Sequence, residues 1–151
     1  MDSEPYTWTL RVSATSTHDA RVFVRQHQFT VGVPVQFDTT YNAISALEYV
    51  LGALGADVVN GLQLLARKRR VELDQVEAVV QGALNNPLTA LGVVGESGHP
   101  GLEKVQITVY VASLAAEEDI QRLWQEMLAR SPLVRTFQPL LQLELRLQMS
   151  I

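Results

Sequence analysis

Residues 43–59 read Ala43-Ile-Ser-Ala-Leu-Glu-Tyr-Val-Leu-Gly-Ala-Leu-Gly-Ala-Asp57-Val-Val59, the most apolar helical stretch in the chain. Ser45-Ala-Leu-Glu48 has the spacing of a capping box, in which a serine and a glutamate three residues apart satisfy each other's backbone amides. A helix is therefore predicted to start near Asn42 or Ser45 and to run to about Arg70. A helix apolar nearly all round belongs in an interior. An ionised carboxylate there is costly unless it is paired, hydrogen-bonded or wetted by a pocket. Asp57 thus marks either a polar cavity or a shifted pKa. At 1.5 Å per residue the helix is longer than ~35 Å, more than a domain of this size readily wraps. A second copy of the chain is expected to cover part of it, giving a homodimer with an extensive, mostly apolar interface.

Upstream of the helix, Tyr6, Trp8, Leu10 and Val12 alternate with polar residues, the pattern of a half-buried strand. Thr17, His18 and Asp19 make a turn. Ala20, Val22 and Val24 then alternate with Arg21, Phe23 and Arg25, and Phe29, Val31 and Val33 continue in the same style. Three strands joined by short turns predict an antiparallel meander, with Pro34 to Tyr41 as the connector into the helix. Downstream, Leu73 to Leu84 reads as a strand broken by Asn85-Asn86-Pro87, and Gly92 to Gly101 as a loop. Val105, Ile107, Val109 and Val111 alternate as a further strand, and Ser113 is expected to cap a second helix whose first turn carries Glu117, Glu118 and Asp119. Its apolar stripe is Ile120, Leu123, Trp124, Met127 and Leu128, and Pro132 is expected to stop it. Leu141 to Met149 alternate strictly, giving the last strand. The predicted order is βββ-α-ββ-α-β: an α+β fold of antiparallel strands with two helices, a single domain over residues 1–151.

With 151 residues and 47% hydrophobic content the chain is long and apolar enough for a real core. A net charge of −4 gives no general drive toward nucleic acid, and none is expected as a partner. There is no cysteine, so no disulfide and no thiol chemistry. Met-Asp-Ser-Glu-Pro at the N-terminus has neither the basic start nor the apolar core of a signal peptide. Glu48, Asp57 and three glycines interrupt the apolar helix, against a membrane span, and a soluble cytoplasmic protein is expected. His18, His27 and His99 lie far apart and form no ligand-spaced pair, so neither a metal nor a cofactor is expected. Arg67-Lys68-Arg69-Arg70 reads as cations complementing the helix C-terminus, with an anion or nucleic-acid patch as the alternative. The glycine-rich loop at 92–101 lacks the Lys-Ser/Thr of a phosphate loop and opens no helix, so it reads as a connector.

Several segments, in order, resemble the OsmC/Ohr family of osmotically induced and organic-hydroperoxide-resistance proteins. The family's long helix carries Glu-Leu-Leu-Leu-Ala-Ala-Leu-Gly-Ala-Cys; Glu48 to Asp57 stands at that same spacing, with Asp57 in place of the cysteine. Ala66-Arg-Lys-Arg69 matches the end of that helix. Ser131-Pro132, with Thr136 and Phe137, follows the family's Cys-Pro-Val-x-x-Thr-Leu pattern, with Ser131 in place of the second cysteine. Val24-Arg25-Gln-His27-Gln-Phe29 is similar to the family's Val-Arg-x-His-x-Leu strand. The resemblance implies an OsmC-like fold, an intertwined homodimer around a long buried helix, and a site near the subunit interface.

The family is known for thiol-dependent peroxide reduction. That chemistry needs a thiolate that attacks the O–O bond and becomes a sulfenic acid, and neither a carboxylate nor a hydroxyl holds that oxidation state. The expectation is therefore a cysteine-less relative without hydroperoxide reductase activity, a diverged homodimer that keeps a pocket for a small-molecule ligand at the interface. In this reading Asp57 is an internal hydrogen-bond anchor, with Arg25 or Arg21 from either subunit as its candidate partner. Ser131 is a pocket or helix-terminus hydroxyl, and Glu48 is read first as the capping partner of Ser45 and second as a pocket acid, a candidate pocket residue with Arg25 and Arg21. The alternative is an enzyme of another class, with Asp57 and Glu48 as acid and base near Ser131. No His or Lys is visibly placed to activate that serine.

Overall fold

In the computed structural model, which describes residues 5–150, chain contacts divide the protein after Val50, within its longest helix. In the N-terminal unit, β1 (Arg11–Ala14), β2 (Ala20–Val24) and β3 (His27–Val31) form the expected antiparallel meander. The first strand was expected to start at Tyr6 but starts at Arg11, and the register gives the reason. Arg11 stands opposite Phe23, so residues before Leu10 run past the end of β2 and have no ladder partner. Tyr6 and Trp8 instead pack on each other, ring centroids 4.5 Å apart, and are largely exposed. Arg25 turns the chain from β2 into β3 with φ 53°, in the left-handed region.

Helix α1 (Ala46–Arg69) begins where the capping box places it. Ser45 N donates to Glu48 Oε1 at 3.0 Å, and Glu48 N donates to Ser45 Oγ at 3.2 Å. The next two amides reach back to the connector: Ala46 N donates to the Val33 carbonyl and Leu47 N to that of Pro34. The Tyr49 hydroxyl donates to the Thr30 carbonyl at 2.8 Å, tying the first turn to β3.

The remainder of α1 belongs to the second unit, with β4 (Gln75–Leu84), α2 (Pro87–Ala90), β5 (Leu102–Ala112), α3 (Glu117–Arg130), α4 (Pro132–Phe137) and β6 (Gln142–Ser150). The sheet order is β4-β5-β6. β4 and β5 are antiparallel, as expected, but β5 and β6 are parallel, with Thr108 opposite Arg146. The return through α3 and α4 makes this possible, since parallel neighbours need a crossover connection. Among the described residues four helices stand where two were expected. Both additions are short and begin at Asn86-Pro87 and Ser131-Pro132: the proline occupies the first helical position, where its missing amide costs nothing. Pro132 thus ends α3 and opens α4. Ser113 does not cap α3, whose N-cap is Ala116. The serine hydroxyl instead donates to the Glu72 carbonyl and accepts from Ala115 N.

The core lies between this sheet and α1, α3 and α4. Val105, Ile107, Val109 and Val111, alternating along the central strand β5, are fully buried, as are Leu54, Val58 and Leu62 at helical spacing on α1. Gly55 admits the sheet closely, because a Cβ there would meet Val80 Cγ2 at 2.7 Å. By length and composition α1 also passes for a membrane span, yet it seats the core of a globular unit. Within one chain its buried residues lie on that face. The opposite face carries exposed Ala53, Ala56, Asn60 and Leu64, the last 57% exposed.

Candidate functional site

Asp57 lies on the flank of α1 between these two faces and is half-buried. Ser131, 4% exposed, is the single residue between α3 and α4. Its extended backbone (φ −68°, ψ 118°) makes it the N-cap of α4, where Ser131 Oγ accepts from Val134 N at 3.1 Å. The same hydroxyl donates to Asp57 Oδ1 at 2.6 Å, the short distance typical of a bond to a carboxylate. Asp57 Oδ2 accepts from Leu133 N at 3.1 Å. The aspartate and the serine therefore cap α4 together, one from each side of the α1–α4 contact. This arrangement resolves the apparent cost of a carboxylate on an apolar helix: both oxygens are hydrogen-bonded, and a helix N-terminus faces the charge. Among the described residues no buried side-chain nitrogen or oxygen lacks a partner.

Beside this pair a cavity of about 670 Å³ opens along α1, well within the size range of small-molecule sites. Ala53, Ala56, Leu64 and Leu65 of α1, with Met127 and Pro132, supply an apolar wall. Gly61 lets α3 come near, since a Cβ on it would stand 3.2 Å from Met127 Cγ. The polar lining is Asp57, Ser131 and Asn60, with Lys68 and Arg130. Lys68 follows Asp57 by eleven residues, about three helical turns, and so shares its face. Arg130 Nη2 pairs with Glu126 Oε1 at 3.0 Å, and the same carboxylate pairs with Arg69 at 2.6 Å. The hydrogen bond from Arg69, with the nearby charges of Arg69, Arg130 and Lys68, holds the Glu126 carboxyl below its usual range against a smaller opposing effect of burial.

The other candidate residues, Glu48, Arg21 and Arg25, belong to the N-terminal unit. Glu48 is engaged in the capping box, where first the Ser45 amide and then its hydroxyl hold the carboxyl below its ordinary value. Arg21 sits in β2 and Arg25 at the β2–β3 turn, both in the N-terminal unit. The Asp57 carboxylate takes its hydrogen bonds from Ser131 and Leu133. Among the described residues no group of three or more His, Cys, Asp or Glu side chains is arranged to hold a metal. Lys68 and Arg130 were not singled out from the sequence as site residues. The first was hidden in a basic run that read as a dipole complement, and the second needed the α3–α4 geometry to bring it to the cavity.

Comparison with known proteins gives one consistent result. Residues 38–146 match the family model for OsmC-like protein. The fold is shared with an OsmC-like protein from Mycoplasma pneumoniae: TM-score 0.74, 18% identity, covering 99% of this chain and 98% of the other. It is also shared with an organic hydroperoxide resistance protein from Elizabethkingia anophelis, at TM-score 0.69 and 13% identity, covering 97% of this chain and 100% of the other. The organic hydroperoxide resistance protein OsmC of Legionella pneumophila aligns at TM-score 0.66 and 10% identity, covering 99% and 100%. No curated protein sequence matches the chain.

Proposed function

The chain belongs to the OsmC-like family, and from that premise we propose that it is a small-molecule binding protein that has no hydroperoxide reductase activity. The observation that carries this reading is the cavity beside the Asp57–Ser131 hydrogen bond. The two residues that match the family's cysteine positions are joined to each other, and an apolar cavity remains next to them. With no sulfur in the pair there is no atom to accept oxygen from a peroxide. The proposed working form is a cytoplasmic homodimer. The exposed Ala53, Ala56, Asn60 and Leu64 face of α1 supports a second copy lying over the helix, which would place the cavity at the interface.

Two measurements test this. Purified protein, an organic hydroperoxide and a dithiol reductant should give no turnover above the uncatalysed rate; turnover would overturn the negative half. A thermal-shift screen should yield stabilising ligands whose effect disappears in Leu64→Trp or Ala56→Trp, which fill the cavity without touching the Asp57–Ser131 bond. An unchanged shift in both variants would place binding elsewhere.

One contact favours a second reading, acid–base catalysis by Asp57 on Ser131. Their 2.6 Å separation is within reach of a base and a nucleophile. Against it, the hydroxyl is 4% exposed and already accepts from Val134 N, and Glu48 is held by Ser45. Labelling of Ser131 by a fluorophosphonate probe would favour this reading over the first.

A further inference from the structure

The geometry points to a second binding site at the C-terminal end of α1, for a small organic phosphate, formed by Arg67 and Arg70 with Gln63. It shares no lining residue with the cavity beside Asp57 and stands independently of how that cavity is used.

Gln63, Arg67 and Arg70 follow one another at spacings of four and three, so they share one face at the end of the helix. They line a cavity of about 460 Å³ together with the chain that leaves α1. Ala66, Val71 and Leu73 make part of that lining apolar, and its charged groups are the two guanidiniums and one carboxylate, Glu72. Among the described residues neither Arg67 nor Arg70 forms an ion pair, with Glu72 or with any other group. Neighbouring cations are already matched, Arg69 by Glu126 at 2.6 Å and Arg122 by Asp119 at 3.7 Å. Two like charges three residues apart on a helix repel, and Lys68 and Arg69 already complement the dipole in the last turn. The negative pole of the helix is weakened here, because the Ala66 and Arg67 carbonyls accept from Val71 N and Arg70 N. Arg70 also has a left-handed backbone, φ 57°, just past the helix end, where glycine is favoured. The turn would form more easily with glycine, so what an arginine contributes there is its side chain. Two guanidinium forks and a carboxamide donor match the oxygens of a phosphate dianion. The cavity has the size of a small-molecule site, and its apolar part suits the organic body that carries the phosphate.

The test titrates the intact protein with phenyl phosphate, inorganic phosphate and phenol, followed by calorimetry and by amide chemical shifts. Phenyl phosphate should bind about tenfold more tightly than phenol, the worth of one good charge-assisted contact, and more tightly than inorganic phosphate. Its binding should weaken with added salt, and again as the pH falls through about 6, where a phosphate monoester takes up its second proton. Arg70→Gly suits the left-handed backbone, so it should keep or raise the Tm while losing the preference for phenyl phosphate. Arg67→Gln should lose it too, whereas Arg135→Gln, an exposed cation on α4 outside the lining, should bind as the wild type does. Equal binding of phenyl phosphate and phenol, unchanged binding in both site variants, or an equal loss in Arg135→Gln would overturn the site. Inorganic phosphate binding as tightly as phenyl phosphate would overturn the organic assignment. A lower Tm for Arg70→Gly with binding intact would assign the arginine to the helix end instead. A change of sedimenting species in the site variants, with phenyl phosphate binding intact, would assign both arginines to a contact between copies and refute the site.

Discussion

Replacing Asp57 by alanine should destabilise the protein through α4 rather than through the helix that carries the residue. The substitution removes both oxygens that hold Ser131 Oγ and Leu133 N. A hydrogen bond to a charged group contributes roughly 1.5–3 kcal/mol, and the serine hydroxyl, 4% exposed, is left without its acceptor. The Leu133 amide is only half-buried, so water replaces the carboxylate there in part, and the loss is that of an ordinary cap, about 1 kcal/mol. The expected total is about 3 kcal/mol. For a chain of 151 residues that lowers the Tm by about 6–12 °C. The assay is thermal and urea unfolding of Asp57→Ala, Ser131→Ala and the double variant. Because the side chains touch, the cycle should show a coupling of about 1–2 kcal/mol. A loss under about 1 kcal/mol for Asp57→Ala, the size of an ordinary surface change, or an additive cycle, would refute the idea that the pair holds α4 in place.

Two glycines of α1 should respond in opposite ways. Gly52→Ala meets nothing within 4 Å and should gain about 0.5–1 kcal/mol of helix propensity, whereas Gly55→Ala drives a Cβ into the stiff side chain of Val80 and should lose about 1–2 kcal/mol net; denaturant titration of both reads the difference. Glu48 has a carboxyl whose folded pKa lies below the ordinary value of 4.5, so its contribution to stability is complete above that value and is lost as the pH falls through the lowered folded one; Glu48→Gln should show a shallower acid limb in a plot of Tm against pH, and an unchanged limb would rule out the capping box as its source. Sedimentation at micromolar concentration should give a dimer, and Leu64→Glu, on the exposed face of α1, should shift it to monomer.

Much of the architecture can be read directly from residue patterns because it is local. Strict alternation in Val105 to Val111 and in Leu141 to Met149, and the reciprocal Ser45–Glu48 box, each depend on neighbours a few residues away, and all three appear as expected. What could not be read is non-local or depends on a residue with two meanings. The parallel pairing of β5 with β6 joins residues about forty positions apart, and alternation is blind to strand direction. Proline after serine stops one helix and starts another with equal ease, and Pro132 does both. At the site, Asp57 and Ser131 stood out through their residue types and the family spacing, but their bond spans 74 positions of sequence. Within the one chain the carboxylate takes its hydrogen bonds from a hydroxyl and a backbone amide, donors that no charge pattern in the sequence announces.

The place of β6 after β4 and β5 in sequence also sets an order of events during synthesis. β5 is the middle strand, and one of its two ladders belongs to residues 142–150, made after everything else in the sheet. Until they emerge from the ribosome, β4 and β5 form a hairpin with one open side, edged by a run of valines and isoleucine that in the finished molecule have no exposure at all. A chain truncated before Gln142 should therefore bind chaperones and aggregate, while the chain through Ser150 should not, so that solubility depends on this strand.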